Sequence, residues 1–335
     1  MIKPILFFSI LASFIIIFHN QPLRFFSTPS THIKSRPTQK VYTTPIQKMQ
    51  ITHQKKILKD VGEAYMENFG ITDNDFSILK NAKVDIIEGN FDICEEEKDV
   101  LYFLDRAHQY NLKVILPAGA GEAEWGYECD LENYPEDQKP QWQSEKVTSF
   151  INKFKNHPAL YAWDTSNEAG SVLPNADGKH YLTLLQLQDS YKDVKNTDPN
   201  HPVLIRMNGW FFYDYTNNFF RQGNPFGKNV ADIVMINAYS NVDDYYPDFV
   251  TTVAQRSISE IEKIDKNIQF IIALGAWSEP PLWTFPSMEN FDKDISQVKK
   301  LGTKIDIAFF KYGANNSGWY LPQNAPFLWK KIKDL

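Results

Sequence analysis

Short apolar runs recur along the chain at Ile57 to Gly62, Val84 to Glu88, Lys113 to Pro117, Leu160 to Asp164, Val203 to Met207, Ile233 to Asn237 and Gln269 to Leu274. Runs this short, without strict alternation of polar positions, suit strands of a parallel sheet buried on both faces. The stretches between them carry helical spacing. Val100 to Tyr110 places Leu101, Leu104, Ala107 and His108 on one face. Glu145 to Lys155 and Tyr181 to Asn196 repeat the pattern, and a last helix is predicted over Phe291 to Lys300. An eighth strand is either Ile305 to Phe310 or Gly318 to Leu321. Seven or eight alternating units predict a parallel α/β architecture. Their count and the polar residues at the strand ends favour a closed (β/α)8 TIM barrel, with a doubly wound open sheet as the alternative. Partial alternation over Gln50 to Asp60 suggests a small hairpin capping the barrel base.

The N-terminus differs in kind. Lys3 precedes Pro4 to Phe18, a run with no charge and almost no polarity, as in a secretory leader. The run is short for a membrane span of ~20 residues. No small-x-small cleavage site follows it, which leans toward an uncleaved anchor. Residues 1–22 are therefore expected to be a signal peptide or signal anchor, and 23–45, rich in Ser, Thr and Pro, a disordered stalk. Residues 46–335 form the folded domain. The protein is expected to be extracellular or at the cell surface, held by the membrane through its N-terminal segment if that is uncleaved. Cys94 and Cys129 are the two cysteines, and in an exported protein they either form one disulfide or remain free.

The net charge of -6 and the absence of a basic stripe argue against a nucleic-acid partner. No G-x-G-x-x-G or G-x-x-x-x-G-K-[ST] follows a strand, so nucleotide binding is not expected. The histidines show no metal-ligand spacing, and no G-x-S-x-G elbow is present, so neither metal catalysis nor a serine hydrolase is expected. No cofactor is implied, and the chain is expected to be a monomer. Aromatic residues are 14% of the chain, a share that suits either sugar stacking or a large aromatic core. Many fall after predicted strands: Trp125, Tyr127, Trp142, Trp210, Phe211, Phe212, Tyr239, Trp277, Trp283 and Trp319. In a barrel those loops share the functional face.

The stretch Leu160-Tyr-Ala-Trp-Asp-Thr-Ser-Asn-Glu-Ala169 carries the clearest chemistry. An apolar strand ends in polar residues that close on Asn167-Glu168. A carboxylate there, beside an amide able to hold a hydroxyl, suits acid/base chemistry on sugars. Ala162-Trp-Asp-Thr-Ser-Asn-Glu168 resembles the strand-four motif of glycoside hydrolase clan A, with most likeness to the family 5 cellulase and mannanase group. Asp105 to Pro117, Asn156-His157-Pro158, Asp198-Pro199-Asn200-His201-Pro202-Val203 and Asp232 to Tyr239 resemble other parts of that group in order. The resemblance implies a glycosidase acting on polysaccharide or oligosaccharide. Under it, Glu168 is the general acid/base, Asn167 holds the sugar 2-hydroxyl, Tyr239 orients the nucleophile, and Trp319 forms a sugar platform. Trp277, from the aromatic set after the strands, is a further candidate for sugar contact.

One departure bears on the activity. The family places a nucleophilic Glu at the end of strand seven, often as Gly-Glu before an aromatic residue. Here Gly275-Ala276-Trp277 puts Ala276 in that position. The usual Arg after strand two and His after strand three are also absent. Glu279 three residues later is the expected second carboxylate, with Glu88, Glu122 and Glu124 as further candidates. Glu88 reads more readily as an ion pair inside the barrel mouth. Loss of catalysis, leaving a noncatalytic glycan-binding pseudoenzyme, is the remaining alternative.

Overall fold

The computed structural model describes residues 53–64, 66–91, 93–119, 142–168, 182–220, 224–242, 244–315 and 317–335. Eight parallel strands form a closed barrel in chain order: β1 Lys56–Val61, β2 Ile86–Gly89, β3 Lys113–Pro117, β4 Leu160–Asn167, β5 Val203–Asn208, β6 Ile233–Asn237, β7 Gln269–Gly275 and β8 Ile305–Phe310. Closure is made by β1, which pairs with both β2 and β8. Helices α1 Asp73–Asn81, α2 Glu97–Gln109, α3 Ser144–Phe154, α4 Leu184–Thr197, α5 Trp210–Asp214, α6 Phe249–Ile264, α7 Met288–Lys300, α8 Leu321–Asn324 and α9 Pro326–Lys333 lie between and after the strands. The fold is the expected (β/α)8 TIM barrel.

The period of two within each strand sorts its residues. Leu58, Ile87, Val114, Trp163, Ile205, Val234, Ile272 and Phe309 point outward and pack under the helices. Ile57, Ile86, Ile115, Ala162, Leu204, Met235, Ile271 and Ala308 point inward and fill the barrel. Below this apolar plug, Lys55, Tyr161, Gln269 and Asp306 form a polar floor. Lys55 Nζ donates to Tyr161 OH at 3.1 Å and Gln269 Nε2 to Asp306 Oδ2 at 2.8 Å. Above it the same inward parity reaches Lys59, Glu88, Asp164, Arg206 and Asn237. All five are buried, so the upper interior is a polar layer.

Several expectations are refined. The eighth strand is Ile305–Phe310, because it alone can pair along both β7 and β1. Gly318 to Leu321 contributes only the isolated bridge from Tyr320 to Gly313. The hairpin expected over Gln50 to Asp60 is not formed by its described part, since Lys56 onward enters β1 in parallel pairing. The buried stripe of α2 is Val100, Phe103, Leu104 and Ala107. Spacing i, i+3, i+4, i+7 from Val100 leaves His108 exposed and Leu101 only half-buried. The Asp198 to Val203 motif closes a turn: Asp198 Oδ1 accepts from the backbone of Asn200 and His201 at 3.0 and 3.3 Å.

Cys94 is disulfide-bonded. Cys129, Glu122, Glu124, Trp125 and Tyr127 lie outside the described residues. The expectation of a membrane protein is corrected: among the described residues no helix is long and apolar enough to cross a membrane. The N-terminal run that prompted it lies outside them.

Candidate functional site

The candidate site sits where the strands end. β4 carries a bulge between Asp164 and Ser166 against β5, which re-aims the residues that follow. The chain then leaves the strand at Glu168 with a φ of 43°, in the left-handed region that non-glycine residues rarely adopt. The Glu168 N–H donates to the Arg206 carbonyl at 3.0 Å, which holds this strained residue against β5.

Both carboxylate oxygens of Glu168 are taken by amides. Asn208 Nδ2, from the end of β5, donates to Oε2 at 2.8 Å. Asn237 Nδ2, from the end of β6, donates to Oε1 at 2.6 Å. The orientation of each amide is fixed from its other side. Asn208 Oδ1 accepts from the Trp210 N–H at 2.9 Å, and Asn237 Oδ1 accepts from Lys59 Nζ at 2.9 Å. A carboxylate is an acceptor through both oxygens, so two aimed N–H groups fix its plane.

Beneath Glu168 lies an ion cluster. Arg206 Nη1 stands 3.2 Å from Glu88 Oε1. Arg206 Nε stands 2.7 Å from Asp164 Oδ2, a close approach of charges without the alignment of a hydrogen bond. Burial works against the Arg206 charge, but Asp164 and Glu88 outweigh it and hold the guanidinium's pKa above its ordinary value. Burial pushes the Asp164 carboxyl well up, with Arg206 opposing and the adjacent Glu88 adding to the rise. Glu88 is thus the ion-paired residue that its position suggested. The Arg206 side chain approaches from β5 and occupies this space, while strand two supplies no arginine.

Tyr239, two residues beyond β6, is buried with its hydroxyl 2.8 Å from Lys59 Nζ. Burial raises its phenol well above the usual value, and the nearby Glu168 charge adds to that. Trp277 meets Tyr239 and Phe310 edge-on at 4.8 and 4.5 Å between ring centroids, and Trp283 completes the group at 5.0 Å from Trp277. Asn241 Nδ2 holds the Trp277 carbonyl at 3.0 Å. Ala276 is fully buried in the outer core, its N–H bonded to the Phe310 carbonyl. Trp319 is half-buried beside the wall, its Nε1 donating to the Lys311 carbonyl at 3.0 Å.

The structure therefore brings Glu168 and Tyr239 to one mouth, with Asn167 as the last residue of β4. Glu279 is exposed in the loop after β7, and its backbone exchanges two hydrogen bonds with Trp283 at 2.8 and 3.0 Å. No catalytic pair of carboxylates is identified among the described residues. Trp142 and Trp210 serve packing: Trp142 Nε1 donates to Asp193 on α4 at 2.8 Å, and the Trp210 ring lies tilted against Phe249 on α6 at 4.3 Å between centroids. Sequence reasoning missed Lys59, Arg206, Asn208 and Asn237. The signal for two of them was present, since a Lys in KILKDV and an Arg in VLIRMN fall on the inward parity of apolar strands. Among the described residues no group of three or more His, Cys, Asp or Glu is arranged to hold a metal ion.

No family model matches the chain, and no curated protein matches it. Solved structures share the fold at low identity. An endo-β-1,4-mannanase from Thermotoga petrophila superposes with a TM-score of 0.55 at 12% identity, over 86% of this chain and 78% of that one. A β-glucuronidase from Ruminococcus gnavus in complex with D-glucuronic acid gives 0.53 at 12%, over 84% and 49%. A GH2 β-galacturonidase from Eisenbergiella tayi bound to galacturonate gives 0.52 at 13%, over 84% and 51%. The chain spans about half the length of the last two. The likeness is to the barrel that glycosidases of several kinds use, and not specifically to family 5.

Proposed function

We propose that this protein acts outside the cell on β-linked polysaccharide or oligosaccharide as an O-glycosyl hydrolase, with Glu168 as general acid/base. The observation that carries the reading is the fixed Glu168 carboxylate. It stands at the strand-four end of a barrel mouth, on strained backbone, with both oxygens aimed by Asn208 and Asn237. Strain of this kind persists where the surroundings over-determine it, and it clusters at functional sites. Asn167 is assigned to a sugar hydroxyl, Tyr239 to the reacting end of the sugar, and Trp319 to a ring face, with Trp277 backing Tyr239. Export is supported by the apolar N-terminal run and the disulfide at Cys94.

Glu279 is the proposed second carboxylate. A retaining pair needs ~5–5.5 Å between carboxyls and an inverting pair ~6.5–9.5 Å. A loop residue more readily meets the wider spacing, with water as the nucleophile.

A second reading rests on Ala276. Ala276, the residue that aligns with the nucleophile position of the resemblance, is buried in the outer core, and the inward side of the chain there carries the wall of Tyr239, Trp277 and Phe310 instead of a carboxylate. A groove with that wall and no second carboxylate binds glycan without cleaving it. Reducing-sugar release from β-glucans, mannans and xylans, with binding measured to the same panel, separates the two. Release that disappears in Glu168→Gln supports the hydrolase. Binding without release supports the binder, and neither binding nor release overturns both.

A further inference from the structure

Lys59 is an expensive residue for its place. It lies on the inward face of β1, one layer above Ile57, and is 1% exposed. An apolar side chain would fill that layer without the cost of burying a charge. Burial pulls the ammonium below its ordinary pKa, while Glu88 on β2, Asp60 beside it and Glu168 after β4 pull it back and Arg206 on β5 adds to the fall. Its contacts are specific. Nζ donates to Asn237 Oδ1 at 2.9 Å and to Tyr239 OH at 2.8 Å. It also faces the rings of Phe310 and Tyr239, 5.2 and 5.5 Å from their centroids.

The chemistry of the ammonium gives these contacts a consequence. An asparagine amide is nearly symmetric in shape, and turning it over would press its oxygen against Glu168. A hydroxyl or water on the far side would accept either orientation, because each can donate and accept. An ammonium only donates, so it admits only the orientation in which Oδ1 faces Lys59 and Nδ2 faces Glu168. The same property acts on Tyr239. Its oxygen accepts from Lys59, so its own O–H is not spent there.

We propose that Lys59 is the positioning residue of the site: it locks the Asn237 amide toward Glu168 and turns the Tyr239 hydroxyl proton toward a hydroxyl or developing oxyanion of a bound glycan. This rests on Glu168 being the functional centre. Lys59 acts through Asn237 and Tyr239 and touches no substrate itself.

The test uses the full chain and three variants: Lys59→Met, which is close in size, Lys59→Arg, which keeps a donor-only cation, and Glu168→Gln. Lys59→Met should lower kcat for glycan release by about 10- to 100-fold with KM changed less than about threefold. Its alkaline limb in the pH–rate profile should rise by about one pH unit, because Glu168 must carry its proton to act as the acid and the variant removes a fixed donor and a nearby positive charge that oppose that protonation. Lys59→Arg should keep the native limb even where its rate falls. A limb that stays in place in Lys59→Met, or moves equally in both variants, overturns the inference. Where Lys59→Met does not fold, Lys59→Arg decides alone by whether its limb moves. A second readout needs no activity: hydrogen exchange of the Asn237 side-chain amide, assigned through its loss in Asn237→Asp. Exchange should speed up at least about tenfold in Lys59→Met, and unchanged exchange overturns the inference. If Glu168→Gln leaves release unaltered while exchange responds to Lys59, the amide lock stands and the functional reading of Glu168 falls.

Discussion

Asn237 and Glu168 meet at 2.6 Å across the barrel mouth, one at the end of β6 and the other just beyond β4. With Asn208 on the second oxygen, the carboxylate is held from two neighbouring strands. Such preorganised donors are a large part of how a site stabilises charge. Asn237→Ala or Asn208→Ala should each lower the release rate about tenfold or more. The double variant should lose less than the product of the two, because both donors serve one carboxylate. Steady-state rates for the four proteins check this, and full multiplicativity would show that the two amides act independently of each other, against a shared role on one carboxylate.

Arg206 holds two buried carboxyls, Glu88 and Asp164. Arg206→Met should destabilise the fold by about 3–5 kcal/mol, because it leaves two buried acids without their cation. Adding Glu88→Gln and Asp164→Asn should restore much of that loss. Urea unfolding of the single and triple variants gives both numbers, and a single variant as stable as the native protein would remove the cluster from the account of the barrel.

Gly275 ends β7 where no side chain fits. A Cβ there would meet Asn241 Oδ1 at 1.9 Å and the Trp277 ring at 2.7 Å. Gly275→Ala should force Asn241 off the Trp277 carbonyl, with a loss of about 1–3 kcal/mol and a change in tryptophan fluorescence. Gly318→Ala, where a Cβ would meet nothing within 4 Å, is the neutral control. Equal unfolding midpoints for the two variants would contradict the packing.

Asp198 links β5 to the outer face of β4. Burial works to raise its pKa, but His201 Nδ1 at 2.7 Å and Trp163 Nε1 at 2.9 Å outweigh that and bring it down to about 2. A carboxyl held below its unfolded value lends stability that is complete above about pH 4 and fades as the pH falls toward 2. Asp198→Asn should therefore cost about 2 kcal/mol at pH 6 and almost nothing near pH 2. Melting temperatures of both proteins from pH 2 to 7 test the convergence, and a constant gap would place the cost in packing instead.

The barrel was legible because each strand is a short apolar run closed by polar residues. Leu160 to Asp164 read as strand four because its hydrophobe gives way to polar residues at Asp164, and the strand in the structure runs on to Asn167, just before Glu168. The eighth strand was ambiguous because Ile305–Phe310 and Gly318 to Leu321 are both short and apolar, and only pairing on both sides distinguishes them. Glu168 could be found from its position at a strand end. The amides that hold it could not, since Asn208 and Asn237 come from strands 40 and 69 residues away in sequence. Lys59 and Arg206 were legible in principle as charges on the inward parity of β1 and β5. Their partners were not, because only barrel closure brings β1, β2, β4, β5 and β6 around one axis.

The most direct test of the central claim is the rate of reducing-sugar release by the full chain and by Glu168→Gln on whichever β-glycan it cleaves best, with binding of that glycan measured in parallel. Loss of at least about 100-fold in kcat with binding kept within about threefold is the expected result for a group acting in the chemical step. Equal rates for the two proteins would contradict the assignment of Glu168.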